Sequence, residues 1–326
     1  MTARLRVVFL GSPPFGTPVL SALQESGHDL VGVVTRPDRP RGRGRSVDRG
    51  EVAALADEHG LSVLQPESTR GGEFAAALSQ LSPDVLVVAS YGEILDEGVL
   101  AVPRIAPLNV HASLLPRHRG SSPIQAAILA GDETTGVSVQ RMVLALDAGD
   151  VLLEREVSIG EEETAGELHD RLALRAGEAA TAALGEIAGG SPSFTPQYEA
   201  AVTMTRRMRK EDGRPSLGTL DAAGFVRHVR AMTPWPGARV DLCREGEASL
   251  ALALHAARVA GDGGWESARP GALRVEAERL FLALGEGFAE LLRVQPAGKR
   301  PMGVSDFLRG ARIDVGAWLE GEPCPG

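Results

Sequence analysis

Residues 83–90 read PDVLVVAS, a run of five apolar residues closed by proline and aspartate on one side and serine on the other. Side chains of a strand alternate between the two faces of its sheet. A strand with no polar alternation is therefore covered on both faces, which is the condition of a parallel sheet buried under helices. RVVFLG (6–11) and DLVGVVT (29–35) follow the same pattern, and LSVLQP (61–66) is a shorter strand. Between them TPVLSALQESG (17–27), EVAALADEHG (51–60) and GEFAAALSQL (72–81) carry apolar residues at helical spacing. This alternation predicts an α/β, Rossmann-like domain with a mostly parallel sheet.

The pattern continues through IAPLNVHAS (105–113), a helix opened by SSP at 121–123, and two strands, VSVQRMV (137–143) and DVLLEREVSI (150–159). The longest helix is predicted over 164–190, where Thr164 and Glu167 have capping-box spacing and Gly189 stands at the end. Periodicity is lost over 191–215, which reads as a surface linker. A helix (221–232) and a PWPG turn (234–237) then open a stretch of short alternating strands, the signature of a smaller, OB-like β-barrel. The expected division is a domain over 1–190, a linker over 191–208 and a barrel domain over 209–326.

Composition narrows the function. No window approaches the roughly 18 uninterrupted apolar residues of a membrane-spanning helix, and MTARLRVVFLG has no signal-peptide core. Cys243 and Cys324 are too few for a disulfide framework or a thiolate metal site. A cytoplasmic protein without membrane partner or metal is expected. Net charge is −9, yet residues 201–326 hold 18 Lys and Arg against 16 Asp and Glu. Six of the 16 basic residues in the first 200 lie within TRPDRPRGRGRSVDR (35–49), so a polyanion has basic ground there and in the C-terminal part.

The chemistry centres on LNVHASLLPRHRG (108–120). Asn109 and His111 share one face at the carboxyl end of a strand, where α/β proteins open their binding crevice. ALDAGDVL (145–152) offers Asp147 in an Ala/Gly loop, with Asp150 and Asp132 as alternatives that also suit turns or caps. An amide donor, a base near neutrality and an anion to orient it suit acyl transfer to an amine. The chain has no G-x-S-x-G elbow and no paired histidine spacing for zinc. GSPPFG (11–16) does not make a dinucleotide fingerprint, because its prolines remove donors that a pyrophosphate needs. His28, His59, His169, His228 and His255 read as solvated or capping residues, while His118 in the PRHRG loop is close enough in sequence to approach a substrate.

LNVHASLLPRHRGSSPIQAAILAGDETTG followed by LDAGDVL resembles the 10-formyltetrahydrofolate-dependent formyltransferases. FLGSPPFG, the arginine loop, RAMTPWPGAR (230–239) and PAGKRPMGVSDFLRG (296–310) resemble the members that act on initiator methionyl-tRNA. The resemblance runs nearly end to end. It implies a catalytic trio of Asn109, His111 and Asp147, and a folate-binding turn of Ser113, Leu114, Leu115 and Pro116, with Tyr91 and Gly92 in the pterin pocket. It also implies that Phe15 receives the methionine side chain, and that Arg41, Arg43 and Arg45 meet the tRNA acceptor end. 10-Formyltetrahydrofolate would be the formyl donor, the C-terminal barrel would hold tRNA phosphates, and a monomer is expected. The chain departs from the family pattern at Ala145 and Ala148, beside the key aspartate, at Arg207, where the family has lysine, and at Pro215-Ser216-Leu217, where an aromatic residue is missing. The rival readings are an amino-sugar nucleotide as acceptor, hydrolysis with water taking the formyl group, and a non-catalytic RNA-binding protein.

Overall fold

A computed structural model describes residues 3–41, 46–261, 265, 268–311, 313 and 316–321. They divide into two compact units, Met1–Pro123 with Thr134–Ser158 and His169–Thr205, and Ile124–Glu133 with Ile159–Leu168 and Arg206–Gly326. In chain order the elements are β1 (Arg6–Gly11), α1 (Gly16–Glu25), β2 (Asp29–Val34), β3 (Arg39–Arg41), β4 (Ser46–Asp48), α2 (Glu51–Glu58), β5 (Val63–Leu64), α3 (Gly72–Gln80), β6 (Val85–Ala89), α4 (Glu97–Leu100) and β7 (Ala106–His111). Then come β8 (Arg119–Gly120), α5 (Pro123–Ala130), β9 (Thr134–Arg141), β10 (Val151–Ser158), α6 (Ala165–Ala188) and β11 (Met204–Thr205).

The sheet of the first unit has the order β10-β9-β7-β6-β1-β2-β5. The five strands β7, β6, β1, β2 and β5 run parallel, and β9 and β10 add an antiparallel edge on the β7 side. All five residues of β6 are buried, as an apolar run in mid-sheet requires. Val8, Leu10, Leu86 and Val88 pack with Phe74 and Leu78 of α3 and Val99 of α4 in one core. From β1 the chain winds to β2 and β5 on one side, then crosses back to β6 and β7 on the other. The sense of winding thus reverses between β1 and β6, and the carboxyl ends of those strands flank the crevice that such a reversal opens.

Local chemistry fixes the helix ends. The Thr164 N–H donates to Glu167 Oε2 at 2.9 Å and the Glu167 N–H to Thr164 Oγ1 at 3.3 Å, the reciprocal capping box expected from the spacing. The segment after α6 makes defined contacts with the first unit. Thr195 bridges Val151 of the edge strand β10, and β11 pairs in parallel with β8 as a separate two-stranded sheet, so Thr195 and Met204–Thr205 are tied to the first unit.

The second unit carries α7 (Ala222–Ala231), β12 (Ala238–Cys243), β13 (Leu250–Ala260), β14 (Leu273–Glu276), β15 (Arg279–Ala283), β16 (Phe288–Pro296), β17 (Met302–Gly303), α8 (Val304–Gly310) and β18 (Trp318–Glu320). Its sheet is antiparallel, ordered β14-β15-β16-β13-β12-β18, with β17 beside β16. A bridge between Ala272 and Trp318 joins the two edges, so the sheet curls into a small barrel. Leu217, where the family pattern has an aromatic residue nearby, is buried in this unit.

Glu290 on β16 is buried and takes Arg279 Nε on Oε1 and Arg258 Nε on Oε2, each at 2.8 Å. The Arg279 hydrogen bond, helped by Arg258 and opposed by burial, pulls its carboxyl down to about 2. A carboxyl held below its unfolded value stabilises the fold above that value and loses the contribution as pH falls through the folded one. Glu290→Gln should therefore cost about 2 kcal/mol at neutral pH, discounted for the half-exposed arginines. It should also flatten the loss of stability between about pH 4.5 and pH 2. Urea unfolding of both proteins across that range checks it.

Candidate active site

Register brings the first two site residues to one place. Asn109 of β7 lies opposite Gln140 of β9, and His111 opposite Ser138. Side chains directly opposite in an antiparallel pair share a face, so Asn109, His111, Gln140 and Ser138 all face one side while Val110 is buried on the other. The loop between β9 and β10 then returns Asp147 over this face. Asp147 has a φ of 49°, in the left-handed region that ordinary residues avoid. At Gly149 a Cβ would collide with the Arg141 carbonyl, which makes glycine obligatory there. Ala145, by contrast, needs no glycine: its carbonyl accepts from the Ala148 N–H at 3.3 Å in a simple turn, and its φ is not positive.

Three N–H groups converge on the Asp147 carboxylate. Asn109 Nδ2 donates to Oδ1 at 3.1 Å, Gln140 Nε2 to Oδ1 at 3.0 Å, and the Gly120 backbone N–H to Oδ2 at 2.9 Å. Oδ2 also stands 3.6 Å from His111 Nδ1. Of the three aspartates weighed from the sequence, Asp147 is the one bonded to Asn109; Asp150 is exposed. His111 is buried at 6% exposure, and its Nε2 lies 2.9 Å from the backbone oxygen of His118. A carbonyl oxygen only accepts, so Nε2 carries the proton and Nδ1 is the basic nitrogen of the neutral ring. His118 reaches this position with a φ of 57°. Its contribution is thus a backbone carbonyl, which its place in the sequence does not disclose. Asn109 keeps a second N–H, since an amide nitrogen has two and Asp147 takes one.

The turn after β7 is tied down internally. Ser113 Oγ donates to the Arg117 carbonyl at 2.6 Å, and the Leu115 N–H donates to Ser138 Oγ at 3.0 Å. Ser113 and Leu115 are buried, while Leu114 and Pro116 are half-buried at the surface of the turn. Tyr91 and Gly92 follow the neighbouring strand β6, and Phe15 follows β1, so these positions line the reversal in the sheet. Tyr91 is buried, which pushes its phenol up to about 12, with Glu93 adding to the effect and Arg36 opposing it. It is a neutral hydroxyl at physiological pH. Phe15 is buried with its ring edge-on to His169, centroids 5.5 Å apart. Val143, Leu144 and Leu146 project into solvent from the Asp147 loop, an apolar rim beside a polar floor.

Arg41 is the last residue of β3, which pairs with β4 as a hairpin, while Arg43 and Arg45 lie outside the described residues. Of the other arginines in that segment, Arg49 is engaged by Asp57 at 2.7 Å and Asp38 at 3.2 Å, and Arg36 Nε donates to Ser12 Oγ at 3.1 Å. Two side chains escaped the sequence reading: Gln140, on the carboxylate, and Gln197, which donates to the carbonyls of Asp147 and Gly149 at 2.8 and 2.7 Å. The period-two spacing of Gln140 from Ser138 marks its face, but nothing local marks Gln197. Among the described residues, no group of three or more His, Cys, Asp and Glu is placed to hold a metal ion, and no helix is long and apolar enough to cross a membrane.

Comparison with known proteins gives this arrangement a family. Residues 5–184 match the formyl transferase family and residues 207–312 the formyl transferase C-terminal domain. A methionyl-tRNA formyltransferase of Methylococcus capsulatus is 44% identical over 304 residues, 93% of this chain and 96% of that one. Another, of a Methylobacterium species, is 42% identical over 97% of this chain and 99% of its own. Among solved structures, an N-formyltransferase of Helicobacter canadensis in complex with folinic acid and dTDP-3-aminofucose shares the fold. It has a TM-score of 0.65 at 12% identity, over 90% of this chain and 99% of that one. HypX of Aquifex aeolicus in complex with tetrahydrofolic acid shares it with a TM-score of 0.59 at 19% identity over 96% of this chain, which spans 49% of the HypX chain. Matched in both halves by formyl transferase domains and over nearly its whole length by such relatives, the chain belongs to the methionyl-tRNA formyltransferase family.

Proposed function

We propose that this protein transfers the formyl group of 10-formyltetrahydrofolate to the α-amino group of methionine on initiator methionyl-tRNA, in line with the name of its relatives, methionyl-tRNA formyltransferase. The observation that carries the reading is the meeting of Asn109, His111 and Asp147, with one carboxylate oxygen 3.1 Å from the amide nitrogen and the other 3.6 Å from the imidazole.

The neutral amine attacks the formyl carbon and the carbonyl oxygen becomes an oxyanion. The second N–H of Asn109 donates to that oxyanion, which is where a fixed dipole accelerates acyl transfer. The proton lost by the amine goes to His111 Nδ1, the nitrogen left basic by the His118 carbonyl. The resulting imidazolium faces Asp147 Oδ2. As the bond from the formyl carbon to N10 breaks, the imidazolium returns that proton to N10, so the amine ends one hydrogen poorer and the folate one richer. Asp147 thus stabilises the charged ring, while the His118 carbonyl, not Asp147, sets its tautomer. The Ser113–Pro116 turn, with Tyr91 and Gly92, holds the folate, and Phe15 takes the methionine side chain. We assign catalysis to residues 1–190, a connecting role to 191–208 and tRNA phosphate binding to 209–326, in a cytoplasmic monomer.

The deciding assay offers the purified protein 10-formyltetrahydrofolate with either methionyl initiator tRNA or an amino-sugar nucleotide. Formyl transfer to the tRNA alone is expected. Transfer to the sugar, or formate release without an acceptor, would overturn the reading.

In single-turnover assays, Asn109→Ala should slow formyl transfer by about 10²–10³-fold, the usual cost of one oxyanion donor. Folate affinity, followed by fluorescence titration, should stay within about twofold. Replacing Arg41, Arg43 and Arg45 together by Ala should weaken tRNA binding and flatten its salt dependence. The log–log slope should fall by about 2 if all three meet phosphates of a single-stranded end. An unchanged slope in filter binding would remove the loop from the tRNA contact.

A further inference from the structure

Gln197 lies in a stretch without periodicity, yet its amide is committed on every side. Its Nε2 is 2.8 Å from the Asp147 carbonyl and 2.7 Å from the Gly149 carbonyl, two acceptors for its two N–H groups. Its Oε1 accepts from Arg119 Nε at 2.9 Å, which fixes which end of the amide faces the loop. Arg119 is itself 5% exposed and is closed from outside by Glu199, at 2.7 Å from Nη2. On the far side, Gln140 Oε1 is 3.3 Å from Gln197 Nε2, and Gln140 Nε2 is 3.0 Å from Asp147 Oδ1. The main chain of Asp147 is thereby held by Gln197, and its carboxylate by Gln140 packed beside it.

We infer that Gln197 is a positioning residue for the transfer reaction: with Arg119 behind it, it pins the left-handed Asp147 loop so that the carboxylate meets Asn109 and His111. The inference rests on the formyl-transfer reading for its kinetic part. Its physical basis is that a non-glycine residue at φ 49° persists only where its surroundings over-determine it. Two carbonyl acceptors, that of Asp147 itself and that of Gly149, both taken by one side chain, supply that restraint. The hydrogen bonds of Gln197 go to the Asp147 and Gly149 carbonyls and to Arg119, so it acts on the chemistry through the loop that carries Asp147.

Two variants of nearly equal length test it. Gln197→Glu places an oxygen against the two carbonyls, and Gln197→Met removes every polar contact. The expected result for both is a melting temperature close to the parent's and KM for each substrate within about twofold. kcat should fall by about 10- to 100-fold, the scale of a misplacement of about 1 Å. The imidazole resonances of His111, assigned by their loss in His111→Gln, should also move in the NMR spectrum, which a merely structural role at the sheet edge would not produce. If Gln197→Glu fails to fold, Gln197→Met carries the test. Unaltered kcat with unaltered His111 resonances in a folded variant overturns the inference, and so does a fall in kcat with those resonances unmoved. If the parent protein transfers no formyl group to tRNA, the functional reading fails by itself. The His111 resonances then still decide whether Gln197 sets the geometry around Asp147.

Discussion

Three N–H donors from three separate segments, Asn109 on β7, Gln140 on β9 and the backbone of Gly120 on β8, end on the carboxylate of Asp147. A side chain with about 10% of its surface exposed cannot carry an anion unless its lone pairs are met. Hydrogen bonds to an ionised acceptor contribute about 1.5–3 kcal/mol each, so the three together exceed the strain of a left-handed aspartate, about 1–3 kcal/mol. The loop conformation, the order of the edge strands and the position of the 195–205 segment all serve to assemble those donors. Remove them and the chain has no reason to hold an aspartate at φ 49°.

Backbone and side chains share the work around His111 in an uneven way. One left-handed residue, Asp147, aims a carboxylate at Nδ1, and another, His118, aims a carbonyl at Nε2. Before any substrate arrives the neutral imidazole is thus clamped at Nε2, with Asp147 Oδ2 placed to meet the charge that forms at Nδ1. Preorganisation of this kind lets fixed dipoles act on a developing charge without reorganising during the reaction. The clamp depends on glycine at 149 and 120, because a Cβ at the first would strike the Arg141 carbonyl and at the second the Thr205 carbonyl. Alanine in place of the family's glycine at 145 leaves the arrangement intact, since that position is exposed and does not take a positive φ.

Much of this was legible in the residues. The unbroken apolar run 85–89 demanded a strand covered on both faces, and β6 is buried along its length. Thr164 and Glu167 announced the start of α6, and the two-residue spacing of Asn109 and His111 placed both on one face at a strand end. Part of the 191–215 stretch is tied to the first unit by a few backbone pairs and polar side chains, contacts that need no periodicity. Gln140 and Gln197 were invisible for a related reason. Glutamine is common on surfaces, and only the neighbours of these two distinguish them.

The amino-acid sequence by itself determined the layered α/β unit, the antiparallel barrel that follows it, and the pairing of an amide with an imidazole at one strand end. Each of these follows from local periodicity, in which burial is written as the spacing of apolar residues. The tertiary structure alone decided which nitrogen of His111 is basic, which aspartate meets it and what holds that aspartate in place. Those outcomes depend on backbone carbonyls and N–H groups, which every residue carries alike. Strand order and loop closure determine where they point, and no side chain records it.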